Sequence, residues 1–219
     1  MTSATPPVTA ATTPTRRYFD KRAEAFDRLY TRKSLGTKLL RRGPRRSREL
    51  AVSVVAREPS PSVLDVGCGP GRVAEAVMEA GAGTYAGIDF SPSMLRLARG
   101  RLERFRSVEL LEGDFMEIDL PRDFDIVLAL GLFDYIEDPG PAAEWMLARC
   151  GGTLVATFSR RDRIKTPIRR FHYELVHRCP IYFYTEAEAE AMLMDAGFET
   201  VEFVSRGPRG FFVTASPSS

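Results

Sequence analysis

The chain is poor in the residues that build disulfide scaffolds and metal centres. Its 219 residues include three cysteines, Cys68, Cys150 and Cys179, and two histidines. The cysteines lie far apart with no C-x-x-C, which argues against both a disulfide framework and a zinc site. That usage is expected of a reduced, cytoplasmic protein. No apolar run approaches the ~18–20 residues of a membrane span, and no apolar core of a secretory signal is visible near the start. No internal repeat is evident. The net charge is only +2, but it is unevenly distributed. Residues 16–48 carry thirteen Lys or Arg against three acids and residues 160–178 carry seven against two, while the remainder is acidic. Basic segments of this kind are solvated helix faces, or they attract an anionic substrate, a membrane surface or nucleic acid.

Apolar residues make up 44% and charged residues 27%, the balance of a soluble globular domain with a full core. The most informative stretch is Val63-Leu64-Asp65-Val66-Gly67-Cys68-Gly69-Pro70-Gly71-Arg72. The run 63–66 reads as a strand buried on both faces. Val73, Ala74, Val77 and Met78 then fall at helical spacing. A strand therefore turns through three glycines into a helix whose unpaired N–H groups face a ligand. A dinucleotide fingerprint requires a third glycine where this chain has Arg72, so that reading fails at its most restrictive position.

Residues 1–15, uncharged and rich in Thr, Ala and Pro, read as a mobile tail. A helix is expected from Tyr18, with Phe19, Ala23, Phe26 and Tyr30 as its apolar stripe. A second is expected over about 44–57. These form an N-terminal helical cap, 16–58, ahead of a core at 59–219. Tyr85 to Ile88 is the next strand and ends at Asp89. An acid about twenty residues past a glycine turn is placed to accept from a ribose diol. Ser91 and Pro92 are a natural N-cap and first helical residue. Further strands are expected at 108–111, 124–130 and 153–158, with Gly151-Gly152 ending the intervening helix. Residues 159–183 break the rhythm as a basic, aromatic insert. Thr185 and Glu188 form a capping box. Strands at 201–204 and 211–214 close the chain. The alternation predicts an α/β, Rossmann-like sheet of mostly parallel strands, with one late antiparallel strand.

Four segments in order, 63–72, 89–95, 112–115 and 124–131, together resemble the class I methyltransferases that bind S-adenosylmethionine (SAM), in the small-molecule branch with an N-terminal cap. The resemblance implies seven strands, the last antiparallel, with helices on both faces. It implies SAM as cofactor and S-adenosylhomocysteine as product. It assigns cofactor contacts to Tyr18, Asp65, Gly67, Cys68, Gly69, Gly71, Asp89, Phe90, Met94, Asp114, Phe115 and Leu130. Within that set Met94 would pack on adenine and Asp114 would accept from its amine. The family places the acceptor beyond strands four and five, which implies Phe19, Phe133, Tyr135, Arg163 and Arg169 as substrate contacts.

His172 or Asp134 would serve as a base, since either can take a proton from a hydroxyl acceptor. The arginines suit a carboxylate or phosphate. The basic insert is also similar to that of porphyrin carboxyl O-methyltransferases. The expected reaction is O-methylation of a small anionic metabolite by a monomer or homodimer, with N-methylation as the alternative. A DNA or protein amide methyltransferase would need Asn/Asp-Pro-Pro-Tyr after strand four, where this chain has Leu130-Gly131-Leu132-Phe133. An RNA methyltransferase is disfavoured because no RNA-binding module accompanies the basic segments. A SAM-binding protein without transfer shares every motif.

Overall fold

A computed structural model describes residues 13–31, 42–120, 123–162 and 165–218. Residues 1–12, Arg163 and the Tyr30 side chain lie outside the described residues. Seven strands form one sheet in the order β3-β2-β1-β4-β5-β7-β6. They are β1 (Ser62–Val66), β2 (Thr84–Asp89), β3 (Val108–Glu112), β4 (Phe124–Ala129), β5 (Cys150–Ser159), β6 (Thr200–Arg206) and β7 (Gly210–Ser216). The first five pair in parallel, and β7 runs antiparallel to both β5 and β6. The order reverses between β1 and β4, and at that point an open α/β sheet leaves a crevice beyond its carboxyl ends.

The central strands are apolar on both faces because helices cover both. On one side Val63, Ile126 and Val155 pack with helices α2 (Arg42–Val55), α3 (Arg72–Glu79) and α4 (Pro92–Leu102). On the other, Leu64, Val127 and Leu154 pack with α5 (Gly140–Leu147) and α7 (Glu186–Asp195). Two further helices, α1 (Thr13–Thr31) and α6 (Lys165–His177), meet each other outside this sandwich through Tyr18, Tyr173 and His177.

Several expectations shift. The first helix begins at Thr13, not Tyr18, and its first turn is anchored by fully buried Thr15 against the Cys179 thiol. That buried contact removes residues 13–15 from the expected tail. The second helix does not overhang the site, since Ala51, Val54 and Val55 join the core beneath β1. Gly151-Gly152 does not stop a helix but lies inside β5. A Cβ on Gly152 would sit 2.4 Å from the carbonyl oxygen of Asp125, so glycine there permits close approach of β4. The irregular basic insert contains a helix, α6, with Pro167 in its first turn, where the missing N–H costs nothing. The Thr185–Glu188 capping box forms as expected.

Candidate active site

The glycine turn is built on the end of β2. The N–H groups of Gly67 and Cys68 both donate to the Ile88 carbonyl, at 2.8 and 3.0 Å. Gly67, Gly69 and Gly71 all have positive φ. Gly71 is needed twice over, because a Cβ there would also strike the backbone of Ala98 on α4 at 3.0 Å. Gly69, by contrast, opens on free space. The turn therefore packs one glycine, Gly71, against a helix, while Gly67 lines the cleft beyond β2.

Asp89, at the end of β2, accepts from Gly69 N at 2.8 Å and from Ser91 N at 2.8 Å. Burial raises its carboxyl to about 6, although both amides favour the ionised form. Each oxygen retains a lone pair for a further donor. Across a narrow cleft stand Gly113, Asp114 and Phe115. Asp114 Oδ1 accepts from Met116 N at 3.0 Å. Its Oδ2 is buried and, among the described residues, has no hydrogen-bond partner. A buried carboxylate oxygen left open is costly unless something else donates to it. The cleft thus offers a carboxylate with acceptor capacity to spare on each wall. Leu132 and Phe90 supply apolar surface between them. These residues fit an adenosine moiety.

Helix α1 lies over this cleft. Asp20 accepts from the Ser91 hydroxyl at 2.6 Å, and Phe19 packs edge-on against Phe90 and Tyr135. Asp27 pairs with Arg72 and Arg101, and Arg101 also donates to the Pro70 carbonyl of the glycine turn. Tyr18 faces α6 through Tyr173 and His177.

The remaining sequence candidates divide. Gly67, Asp89, Phe90, Asp114 and Phe115 come together in the cleft, while Phe19 and Tyr135 meet at its outer side. Asp65 and Cys68 lie beneath the turn. Asp65 is buried and accepts from the Tyr85 hydroxyl at 2.7 Å. Met94 is fully buried and absent from the cleft lining, and Leu130 packs against the α2/α3 side of the core. Phe133 does not face the cleft either: it is fully buried and stacked on Phe158 at 4.8 Å. Asp134 accepts from Ser159 N at 2.8 Å and Ser159 Oγ at 2.7 Å, tying the loop after β4 to the end of β5. Arg169 stands over the Phe183 ring. Burial raises the Asp134 carboxyl, opposed in part by the two Ser159 hydrogen bonds and by the Arg169 charge. His172 is exposed on α6, with its ring 4.9 Å from that of His177. Sequence reasoning did not find Asp20, Asp27 or Arg101, whose partners are brought close only by folding.

Residues 63–154 match a family model described as a methyltransferase domain. Over 64% of its length the chain is 34% identical to a ubiquinone biosynthesis O-methyltransferase of Thiobacillus denitrificans, covering 65% of that protein. It is 32% identical to a demethylmenaquinone methyltransferase of Tropheryma whipplei over 74% of its length, covering 66% of that protein. The chain therefore spans about two thirds or less of the curated relatives it matches. The magnesium protoporphyrin IX methyltransferase of Synechocystis, solved with bound SAM, shares the fold with a TM-score of 0.75 at 19% identity, over 98% of this chain and 100% of that one.

Proposed function

The chain belongs to the class I SAM-dependent methyltransferase family, and on that premise we propose that it transfers a methyl group from SAM to an oxygen of a small molecule. The observation that carries this reading is the pair of carboxylates across the cleft. Asp89 holds its ribose-facing position through Gly69 and Ser91, and Asp114 keeps one buried oxygen open for an exocyclic amine. SAM, when bound, supplies a methyl group already activated on a sulfonium.

The chain's own residues then have three tasks. Asp89 and Asp114 orient the two ends of the nucleoside. Helix α1 excludes water, with Phe19 closing against Phe90 and Tyr135. The aromatic edge formed by Phe19, Tyr135 and Tyr18 lies beside that closure and would position a flat acceptor. Holding two reactants in line accounts for about 7–11 kcal/mol of barrier in favourable cases. Asp134 spends both oxygens on Ser159, and His172 lies on the exposed part of α6. Positioning is therefore the larger contribution in this reading, and a base at either residue the smaller.

The relative named as a ubiquinone biosynthesis O-methyltransferase supports an aromatic hydroxyl as the acceptor class, and the one named as a demethylmenaquinone methyltransferase supports a flat, quinone-like ring. Arg169, beside Phe183, is the proposed contact for an anionic group on that acceptor. The test is a screen of phenols, carboxylic acids and amines with labelled SAM. Label transferred to a phenolic or carboxylic oxygen supports the reading. Transfer to amines alone, or S-adenosylhomocysteine binding with no transfer to any acceptor, would replace it.

A further inference from the structure

Helix α6 is amphipathic in the opposite sense to a core helix. The side chains that meet the protein are polar aromatics and a cation: Tyr173 and His177 against Tyr18, and Arg169 over Phe183. The outward face carries Ile168, Phe171 and Leu175, at i, i+3 and i+7, with Val176 beside them. All four are 60–66% exposed, the four most exposed large apolar side chains of the described residues. Scattered apolar residues on a surface need no account, but four on one helix face do.

The surroundings of this face are cationic. Lys21 and Arg22 follow Tyr18 by three and four positions, which puts them on the side of α1 that meets α6. Both are exposed, as are Arg17 and Arg178. Glu174, the acid on α6, is taken up by Arg170 at 2.7 Å. Apart from residues 16–48 and 160–178 the chain is acidic. Among the described residues, the exposed cations Lys21, Arg22 and Arg178 therefore stand on, or directly after, the two helices that meet at this face.

We propose that the outer face of α6, with the adjoining cationic side of α1, docks this protein on an anionic lipid surface. Apolar groups at helical spacing, edged by Lys and Arg, are what an interfacial helix presents to headgroups and the acyl boundary. A second copy of the chain fits less well, because a two-fold contact through this face would set cation against cation. The position also has a consequence for the cleft. Helix α6 follows the carboxyl end of β5 and touches α1, the helix that covers the cleft. Docking would turn the cap toward the lipid. The proposal does not depend on the methyl-transfer reading, because lipid binding is read without turnover.

The test is flotation of the full chain with vesicles of phosphatidylcholine alone and of phosphatidylcholine with phosphatidylglycerol. Wild type should float with the anionic vesicles at low salt and stay behind with the neutral ones. Phe171→Ser with Leu175→Ser should abolish flotation with an unchanged thermal melt, since both side chains are exposed. Arg17→Glu with Lys21→Glu should weaken partition by about fivefold or more per position. No flotation of wild type, or equal flotation of the serine variant, overturns the proposal. So does a dimer in light scattering that the serine variant converts to monomer, which would assign the face to a second copy.

Discussion

Asp27 on α1 grips Arg72 at two points, Oδ1 to Nε at 2.8 Å and Oδ2 to Nη2 at 2.9 Å, and Oδ1 also accepts from Arg101 at 2.9 Å. All three side chains are largely shielded, at 15–19% exposure. Arg72 is the first residue of α3, directly after Gly71. The covering helix is thereby fastened to the same glycine turn that borders the cleft. Burial pushes the Asp27 carboxyl up, but the Arg72 hydrogen bonds and the charges of Arg101 and Arg72 outweigh it and hold it below the ordinary range.

Asp27→Asn is expected to cost about 1–3 kcal/mol of docking free energy for α1, because it removes the charge that Arg72 and Arg101 share at short range, and the next carboxylate beside Arg101, Glu75, stands at 3.6 Å. Limited proteolysis should cut within residues 13–31 faster in the variant, and S-adenosylhomocysteine should protect less. Identical digestion of variant and wild type would show that the fastening contributes nothing. The acid side has a definite sign. A lowered carboxyl stabilises the fold above its unfolded value and loses that contribution as pH falls below about 4.

A second prediction concerns Asp89. Its carboxyl sits at about 6. Only the ionised form can accept from two hydroxyls while also serving Gly69 and Ser91. Affinity for S-adenosylhomocysteine should therefore be level above pH 7 and fall as pH drops through about 6. Asp89→Asn should bind more weakly and lose that pH dependence. A wild-type affinity that stays flat down to pH 5 would contradict the assignment.

Asp65 offers a test of stability rather than binding. Burial raises its carboxyl to about 7, with the Tyr85 hydroxyl as its one partial compensation. A carboxyl raised on folding favours the folded state at low pH and loses that advantage as pH rises through its folded value. The free chain should thus lose stability, on the order of a few kcal/mol, between about pH 4 and 8. Asp65→Asn keeps an acceptor for Tyr85 and removes the buried charge. It should raise the melting temperature at pH 8 and leave it nearly unchanged at pH 4. Equal shifts at both pH values would count against a buried, titrating Asp65.

Asp134 and His172 are separable by turnover. His172→Ala should keep near wild-type kcat, given the exposed position of that ring. Asp134→Asn should lower thermal stability as well as kcat/KM, because it loosens the tie to Ser159. A large loss of kcat with unaltered stability in either variant would identify that residue as a base.

The sheet and the meeting of Gly67, Asp89 and Asp114 at one cleft were legible because their signals are local. Glycine spacing, the acid after β2 and the strand–helix alternation need no knowledge of tertiary contacts. The cap was less legible for the converse reason. Asp20, Asp27 and Arg101 look like solvated charges until folding brings Ser91, Arg72 and the glycine turn beside them. Phe133 read as a substrate wall because it follows β4, yet the stack with Phe158 and Phe211 draws it into the core. Helix α6 did leave a signal, Thr166-Pro167 followed by Ile168, Phe171 and Leu175, but the surrounding arginines masked its period.

The most direct measurement for the central claim is titration calorimetry of the chain with S-adenosylhomocysteine, run beside NADH. The geometry of Asp89, Gly69 and Asp114 predicts micromolar binding of the nucleoside product, about tenfold or more weaker in Asp89→Ala and weaker again when Asp114→Ala is added. It predicts no comparable binding of NADH. Tight NADH binding with none of S-adenosylhomocysteine, or wild-type affinity in the double variant, would contradict the account.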